Sequence, residues 1–356
     1  MTDPSDYLRW FDSIRLEDVP LVGGKNASLG ELYSELEAQH IRVPNGFALT
    51  ARAYYDALQT AGAWAPLHTL LDGLDVGNVA LLAVRAAEAR QIVYAATGND
   101  MLRQHIIAAY RQLEAQYGSG VAVAVRSSAT AEDLPEFSFA GQHESYLNIS
   151  GVDDLFEACR RCFASIFTDR AIVYRINNQF DHFRVGLSVG VMKMVRSDRA
   201  ASGVIFTLDT ESGFRDVVFI TGSYGLGENI VQGKVDPDEF YVHKPTFRQG
   251  YRSVLRRSLG QKQLTMTLMS GHTGSTTHDE STPPEKRERF CLIDAEVLRL
   301  ADYALLIEDH YSKRAGHSVP MDIEWAKDAD DGRLYIGHGQ KPLRHGSPPP
   351  SSKPTR

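Results

Sequence analysis

The stretch that most constrains this chain covers residues 124–149 and reads AVRSSATAEDLPEFSFAGQHESYLNI. It starts inside a short β-branched run, residues 121–125, which predicts a strand. Arg126 follows that run, two serines come next, and residues 138–142 form a loop of small side chains. Arginine presents a planar fork of donors with a permanent charge, and hydroxyl and backbone N–H groups add further donors. A lone Arg-Ser-Ser indicates no more than a surface turn, but the full stretch favours a binding site for a polyphosphate.

The composition is that of a globular protein with one large or two ordinary domains. Of the 356 residues, 43% are hydrophobic and 23% are charged, and the formal net charge is -7. This negative balance argues against nucleic acid or an anionic membrane as the main partner. No apolar stretch approaches the roughly 20 residues that span a bilayer, and the acidic N-terminus is unlike a secretory signal. Three cysteines fit a reducing compartment, so we expect a cytoplasmic protein.

Hydrophobic periodicity predicts alternating helices and strands in the first half. Apolar residues recur at helical spacing between residues 102 and 117, and residues 156–177 read as one long helix. Cys159 and Cys162 lie in that helix with no second cysteine pair or histidine cluster nearby, so we expect both to be structural. Residues 185–191 alternate valine or leucine with small residues, which predicts a strand buried on one face.

The second half is richer in strands, which are predicted at residues 204–208, 217–221, 239–242, 321–325 and 333–336. A helix is predicted over residues 293–311 with Asp294 as its N-cap. Residues 270–289 are polar and nearly free of large apolar groups, so we expect a mobile surface loop there. The pattern predicts two lobes of helices and strands with a cleft between them, and periodicity alone leaves α/β and α+β both open.

Two glycine-containing segments invite comparison with phosphate-binding loops. Residues 23–25, Gly-Gly-Lys, precede a helix predicted to begin near Asn26. Glycines let a backbone approach a phosphate, a helix N-terminus favours an anion, and Lys25 adds a charge, although the tripeptide also occurs in ordinary loops. Residues 222–233, GSYGLGENIVQG, do not have the GxGxxG spacing, and no βα unit follows them. We therefore reject a dinucleotide-binding motif at that segment.

Asp322 and Glu324 occupy alternate positions of a short predicted strand, so their side chains point to one face. The apolar residues between and beside them point to the other face. Two neighbouring carboxylates repel each other unless a cation lies between them, and Mg²⁺ carried by nucleotide phosphates would meet that need. The alternative is a solvent-facing acidic edge.

Several longer strings resemble one known family. They are GGKNASLGEL at residues 23–32, FTDRAIVYR at 167–175, the long run that opens with SGVIFTLDTE and closes with DEFYVHKP at 202–245, and MDIEWAKD at 321–328. With residues 124–149 they resemble the N-terminal nucleotide-binding domain of phosphoenolpyruvate synthase; pyruvate phosphate dikinase and rifampin phosphotransferase carry related versions. The resemblance extends from about residue 10 to Ile336. It implies the ATP-grasp fold, with residues 1–195 and 196–336 as two lobes and ATP in the cleft between them.

The resemblance also implies roles for individual residues. Lys25 and Arg126 match positions that contact the ATP phosphates. Gly141 and Ser145 fall in a loop that closes over the nucleotide; the family usually has threonine at position 145, and serine keeps the hydroxyl.

Residues 192–195 match the hinge that reads the adenine edge, with Met192, Met194 and Val195 as contacts. The family usually has glutamine at position 192, so a side-chain hydrogen bond from that position is lost, while a thioether can still pack on a purine. Two buried core methionines are the alternative.

The remaining implied contacts concern the metal. Glu228 would approach the phosphates or the metal, Asp322 and Glu324 would bind Mg²⁺, and Glu324 would also contact the nucleotide. The implied cofactors are therefore ATP and Mg²⁺.

The resemblance further implies an activity that needs partners. The complete enzyme converts ATP, pyruvate and water to phosphoenolpyruvate, AMP and phosphate, using a phosphohistidine domain and a barrel domain that binds pyruvate and phosphoenolpyruvate. Neither is found in this sequence, so we expect the chain to supply only the phosphorylation of a histidine on a separate domain. The alternatives are an ATP domain like that of rifampin phosphotransferase and a non-catalytic or decayed nucleotide-binding fragment.

The match to the family ends at Ile336, where the family continues with a string like VQARPETV. Residues 337–356 are rich in proline and serine, and we expect them to be disordered. HGQKPL can be back-translated so that a shifted frame encodes Arg-Pro-Glu-Thr-Val. We therefore expect a frameshift near Gly337, which resequencing across the Ile336 codon would reveal and immediate stop codons in the shifted frame would exclude.

Overall fold

A computed structural model describes residues 6–130, 145–269 and 277–340 of the chain. Its strands are β1 (Leu8–Trp10), β2 (Gly46–Leu49), β3 (Val123–Ala129), β4 (Ser145–Ile149), β5 (Leu187–Lys193), β6 (Ala201–Phe206), β7 (Val217–Tyr224), β8 (Asp238–His243), β9 (Arg256–Ser258), β10 (Leu264–Leu268), β11 (Thr277–Ser281), β12 (Asp322–Lys327) and β13 (Leu334–Gln340). Its α-helices are α1 (Val19–Leu36), α2 (Ala51–Thr60), α3 (Trp64–Leu71), α4 (Val79–Ala96), α5 (Asp100–Tyr117), α6 (Val152–Ala164), α7 (Asp169–Asn177), α8 (Glu228–Val231), α9 (Lys244–Arg248), α10 (Pro284–Arg287) and α11 (Asp294–Ala315). The predicted mixture of helices and strands is confirmed.

The first sheet has five strands in the order β1-β2-β5-β3-β4, and neighbouring strands run antiparallel. Helices α2 to α7 build an apolar core against one of its faces, with Val125 and Val189 among the buried side chains. The expectation that β5 is buried on one face is wrong, because both of its faces are buried. Asn26 of α1 packs against the second face, where the small residues Ser188 and Gly190 let the helix come close.

The second sheet has six strands in the order β13-β12-β6-β7-β8-β9, again antiparallel. Helix α11 packs on the face that carries Ile205, Ile220 and Ile323, all fully buried. Trp325 lies on the same face, and its indole N–H donates to the carbonyl of Thr221 at 3.0 Å. Since both sheets are antiparallel, the chain follows the α+β alternative.

Helix α1 packs against both sheets. It contacts β3 and β5 of the first sheet as well as β13 and α11 on the side of the second sheet. Leu29 and Leu32 are buried in an apolar cluster that continues through Ile307 of α11. The hydroxyl of Ser28 also donates to the carbonyl of Gly339 on β13. The helix therefore connects the two sheets.

One predicted helix is broken. The sequence predicts a continuous helix over residues 156–177, but α6 ends at Ala164 and α7 begins at Asp169. Between them Thr168 adopts an extended backbone, and its hydroxyl accepts the N–H of Ala171. Threonine is a favoured N-cap because this bond satisfies an N–H that the helix leaves unpaired.

One predicted loop is partly a hairpin. Strands β10 and β11 pair antiparallel, and α10 follows directly within the predicted loop of residues 270–289. The prediction failed because β11 is exposed and polar, so it lacks the apolar alternation that signals a strand. Residues 270–276 of that loop lie outside the described residues.

Two predicted boundaries also need correction. The N-cap of α11 is Ile293 instead of Asp294, because the carboxylate of Glu296 accepts the Ile293 N–H at 3.1 Å. Disorder from residue 337 onward is wrong for residues 337–340, which continue β13; Gly339 lies opposite Ile323 of β12. Backbone pairing needs no particular side chain, so an unusual sequence can still extend the strand. Residues 341–356 lie outside the described residues.

Cys159 and Cys162 are both buried in the core of the first sheet. Burial raises the pKa of the Cys159 thiol, which suits a structural cysteine. Among the described helices, none is both long and apolar enough to cross a membrane.

Candidate functional site

The Gly-Gly-Lys segment forms a kink inside α1. Gly23 has φ 74° and ψ 165°, so the helix is interrupted there and resumes before Asn26. A Cβ atom at Gly23 would lie 2.3 Å from the Ser128 hydroxyl and 2.5 Å from the Ser128 carbonyl oxygen, which leaves room for glycine alone. The Asn26 N–H donates to the Ser128 hydroxyl at 3.3 Å. Lys25 therefore lies between two residues of α1, Gly23 and Asn26, that both contact Ser128 of β3.

Asn26, next to Lys25, makes buried contacts that the sequence did not predict. Its side chain is buried, and its amide donates to the Ser188 hydroxyl at 3.0 Å, which in turn donates to the carbonyl of Leu49 at 2.7 Å. A Cβ atom at Gly190 would lie 2.2 Å from the Asn26 carbonyl oxygen. The small residues of the alternating β5 pattern are the sequence signal that could have revealed this close contact.

Arg126 lies within β3 instead of after its end, as the sequence analysis expected. The strand continues because Ser127 and Ala129 pair with β5. Ser145, the first residue of β4, lies directly opposite Arg126 and is exposed. The structure thus brings together these two predicted residues, which are distant in sequence. Gly141 lies outside the described residues.

Asp322 and Glu324 both point to the open face of the second sheet. Each is partly exposed, while Ile323 and Trp325 are buried on the opposite face, so the predicted alternation is confirmed. Glu324 reaches toward the first sheet, and its Oε2 lies 3.7 Å from Nη1 of Arg126. The predicted phosphate-binding and metal-binding residues therefore meet between the two sheets.

The predicted hinge, residues 192–195, passes from β5 into a turn before the second sheet. The side chains of Met192 and Met194 are only 3% and 5% exposed and belong to the apolar core. The Met194 N–H donates to the carbonyl of Ala122 at 2.9 Å, and the Val195 carbonyl accepts the N–H of Ser197 at 2.8 Å. Packing against a base by the Met192 thioether stays a prediction.

Lys193, between the two methionines, makes a contact that the sequence analysis did not foresee. Its ammonium donates to Oδ2 of Asp328 at 2.6 Å, and Asp328 is fully buried. Burial alone would raise the pKa of Asp328, but the hydrogen bonds from Lys193 and the Asp330 N–H outweigh burial and hold that pKa below its usual value. The contact joins the hinge to the turn between β12 and β13.

Glu228 lies within the glycine-rich segment of residues 222–233. It is the exposed first residue of α8 and accepts a hydrogen bond from the Gln232 amide at 2.7 Å. Strand β7, which ends in the glycine-rich segment, is antiparallel to both neighbours, so rejection of a dinucleotide-binding βα unit is confirmed.

Residues 19–337 match the family described as pyruvate phosphate dikinase, AMP/ATP-binding domain. The chain belongs to this family. Several curated relatives of this chain are much longer proteins. A phosphoenolpyruvate synthase of Synechocystis sp. is 51% identical over 332 residues, which cover 92% of this chain and 40% of that protein. The phosphoenolpyruvate synthases of Pseudomonas aeruginosa and Escherichia coli are 52% and 46% identical, each over 93% of this chain and 41% of the relative. The AMP/ATP-binding domain thus spans about 40% of the length of these relatives.

Proposed function

We propose that the chain binds Mg-ATP between its two sheets and acts as the N-terminal, nucleotide-binding part of a phosphoenolpyruvate synthase. The observation that carries this proposal is the approach of Arg126 on the first sheet to Glu324 on the second, 3.7 Å apart. A cation donor and a carboxylate facing each other across a cleft suit the phosphates and the metal of one ligand. We assign residues 1–195 and 196–336 to the two lobes of an ATP-grasp fold.

The phosphate end of the site would be formed by Lys25, Arg126 and Ser145. The two cations would hold the phosphate chain and stabilise the charge that develops during phosphoryl transfer. The kink at Gly23 supports this role, because it places the start of a helix, which favours anions, beside β3. The base would lie at the hinge, residues 192–195, at the other end of the cleft.

Asp322 and Glu324 fit a magnesium ion that arrives with ATP. Both offer hard oxygen ligands on one face of β12 and both are partly exposed. In residues 6–130, 145–269 and 277–340, no group of three or more His, Cys, Asp or Glu side chains is arranged to hold a metal by itself. Magnesium commonly takes one or two protein carboxylates together with substrate phosphates, so two carboxylates suffice. Once bound, the ion would neutralise charge on the phosphates.

The reaction that this site would serve is the first step of the synthase reaction. As ATP is converted to AMP, one phosphoryl group would pass to a histidine on a separate phosphohistidine domain and the other would be released to water as phosphate. A barrel domain would later transfer the histidine-bound phosphoryl group to pyruvate. Support comes from the relatives named phosphoenolpyruvate synthase, which match more than nine tenths of this chain.

The test has two parts. Calorimetric titration of the chain with ATP, with and without Mg²⁺, should show binding that Mg²⁺ strengthens. Adding the part of a synthase relative that this chain does not match, together with pyruvate, should yield AMP only when both proteins are present. Absence of ATP binding would overturn the proposal, and binding without AMP formation would restrict it to a nucleotide-binding module.

A further inference from the structure

Lys193 and Asp328 connect the two sheets at the end of the cleft away from Arg126. Lys193 is the last residue of β5 and lies in the hinge segment, and its ammonium is 2.6 Å from Oδ2 of Asp328. Asp328 directly follows β12, the strand that carries Asp322 and Glu324. One ion pair thus joins the hinge of the first sheet to the metal-binding strand of the second.

The acceptor side of this pair is fixed in place. The Oδ1 atom of Asp328 accepts the N–H of Asp330 at 2.8 Å, and the Asp328 N–H donates to the carbonyl of Arg333 at 2.9 Å. The next residue, Ala329, donates its N–H to the carbonyl of Arg196 at 3.2 Å, just beyond the hinge. With every one of these groups bonded, the turn cannot shift without breaking several hydrogen bonds.

The donor side is shielded from water. The Lys193 side chain is 19% exposed and that of Asp328 is 0% exposed. The ammonium lies 5.5 Å from the centre of the Tyr335 ring and 5.9 Å from that of Tyr117, within the range of a cation–π contact. Tyr117 comes from the first sheet's helices and Tyr335 from β13, so the rings close around the ion pair from both sides. A desolvated, directional pair fixes geometry better than an exposed one does.

The position of the Lys193–Asp328 pair beyond the end of β12 sets its distance from Glu324. Strand residues advance by about 3.3 Å, so Glu324 lies ~13 Å along the strand from Asp328. The hinge and the metal-binding carboxylates are therefore held at the two ends of a span of roughly the reach of an extended nucleoside triphosphate. A nucleoside monophosphate has too few phosphates to engage both ends.

We propose that Lys193 is a positioning residue that, through Asp328, fixes the separation between the base end and the metal end of the cleft. This inference rests on the proposed function and adds the feature by which the site would bind a nucleoside triphosphate more tightly than a nucleoside monophosphate. When the base end and the metal end of the cleft are held at a fixed separation, ATP bound at one end meets the other end intramolecularly. The affinity for ATP is then much higher than for a ligand that uses one end. Releasing the pair loosens this separation, although the Ala329 N–H still donates to the carbonyl of Arg196 just beyond the hinge.

The test compares three probes by calorimetry on the full chain: AMP, Mg-tripolyphosphate and Mg-ATP. In Lys193→Met, Mg-ATP affinity should fall by about tenfold or more, because the effective concentration of the second end drops. The affinities for AMP and for Mg-tripolyphosphate should stay within about twofold, since each uses one end alone. Asp328→Asn should give the same split while its Oδ1 keeps the bond to the Asp330 N–H, and Lys193→Arg should restore most of the Mg-ATP affinity.

The matched control is Arg199→Met. Arg199 forms an exposed pair with Asp330 of the same turn, but Arg199 precedes β6 and Asp330 precedes β13, so this pair lies between segments of the second sheet and does not join the two sheets. It should leave all three affinities unchanged. Equal Mg-ATP affinity in wild type, Lys193→Met and Asp328→Asn would overturn the positioning role of Lys193, and so would an equal loss of affinity for AMP and Mg-ATP. A wild-type chain that binds Mg-tripolyphosphate and AMP but binds Mg-ATP no more tightly would also overturn that role, while leaving the proposed site standing. A wild-type chain that binds none of the probes would overturn both.

Discussion

Arg126 and Glu324 face each other across the cleft, with Nη1 and Oε2 separated by 3.7 Å. Their side chains are 36% and 41% exposed, so water screens the pair, and exposed pairs of this kind stabilise a protein by only about 0–1 kcal/mol. In the proposed complex, a triphosphate with its metal would replace this weak contact at little cost, because the phosphates would bind Arg126 and the metal would bind Glu324. The pair is therefore suited to exchange partners when the ligand binds.

Replacing Arg126 with alanine should weaken Mg-ATP binding. Loss of one charge-assisted contact to phosphate is expected to cost about 1.5–3 kcal/mol, measured by isothermal titration. Arg103→Ala is the matched control, because Arg103 of α5 pairs with the exposed Asp153 of α6, among the helices that pack on the first sheet. Identical titration curves for Arg126→Ala and wild type would contradict a phosphate contact at Arg126.

Replacing Glu324 with glutamine should change the dependence of ATP binding on Mg²⁺. The neutral amide is a poorer ligand for Mg²⁺, but it removes repulsion between the carboxylate and the triphosphate and releases Arg126 from its partner. The ratio of ATP affinity with Mg²⁺ to that without should fall by about tenfold, or ~1.4 kcal/mol. Glu285→Gln, an exposed change on α10, should leave the ratio as in wild type. If the ratio is also unchanged in Glu324→Gln, Glu324 does not bind the metal.

Replacing Gly23 with alanine should damage the phosphate end of the site. The new methyl group would collide with the hydroxyl and carbonyl of Ser128, so the segment with Lys25 must move away from β3. Overpacking of this kind costs about 1–3 kcal/mol of stability, and the displaced lysine should also weaken ATP binding. Gly62→Ala is the control, since Gly62 has a similar φ of 64° and open space around it. A comparable loss of Tm and ATP affinity in both variants would show that backbone conformation, not the contact with Ser128, is responsible.

Replacing Glu31 with glutamine should lower stability in a manner that depends on pH. Glu31 is fully buried, and one of its carboxylate oxygens lies 2.6 Å from His310 Nε2 and 2.8 Å from Arg314 Nη1. Burial would raise the pKa of Glu31, but the hydrogen bond from His310 and the charge of Arg314 outweigh burial and lower it below its usual 4.5. Breaking a buried charged network should reduce the free energy of unfolding by about 1–3 kcal/mol.

The sign of this pH dependence follows from the lowered pKa. Because the folded state binds the proton less tightly than the unfolded state, the contribution of Glu31 is fully present above pH 4.5 and declines as the pH falls through the folded-state pKa. Urea unfolding of wild type and Glu31→Gln should therefore differ most near neutral pH and converge in acid. A difference that stays constant down to pH 3 would exclude the ionised carboxylate as the cause.

The parts of the site that follow a local rule could be predicted from sequence. Asp322 and Glu324 share a face because strand side chains alternate, and the apolar residues between them show which face is buried. The β-branched run predicted a strand at residues 121–125, and β3 is found at Val123–Ala129 with Arg126 inside it. Its actual end depends on pairing with β5, which the local sequence does not encode.

The parts that depend on distant contacts could not be predicted. Nothing local to Gly23 shows that its neighbour in space is Ser128, and nothing local to Lys193 shows that Asp328 will lie beside it. The break between α6 and α7 was readable in principle, because Thr168 followed by Asp169 is a good helix start, but the strong apolar periodicity on both sides concealed it. The adenine contact, the phosphate contacts of Lys25 and Arg126, the metal binding by Asp322 and Glu324, and the roles of Gly141, Ser145 and Glu228 stay predictions.

The packing of α1 has a consequence for synthesis of the chain on the ribosome. This helix is translated long before α11 and β13, which cover part of its buried surface and where Gly339 accepts the Ser28 hydrogen bond. The apolar flank of α1 therefore stays uncovered while the residues between them are translated. During that interval the nascent chain exposes an apolar, aggregation-prone surface, which holdase chaperones are suited to protect. The two sheets can reach their final arrangement only when β13 has left the exit tunnel.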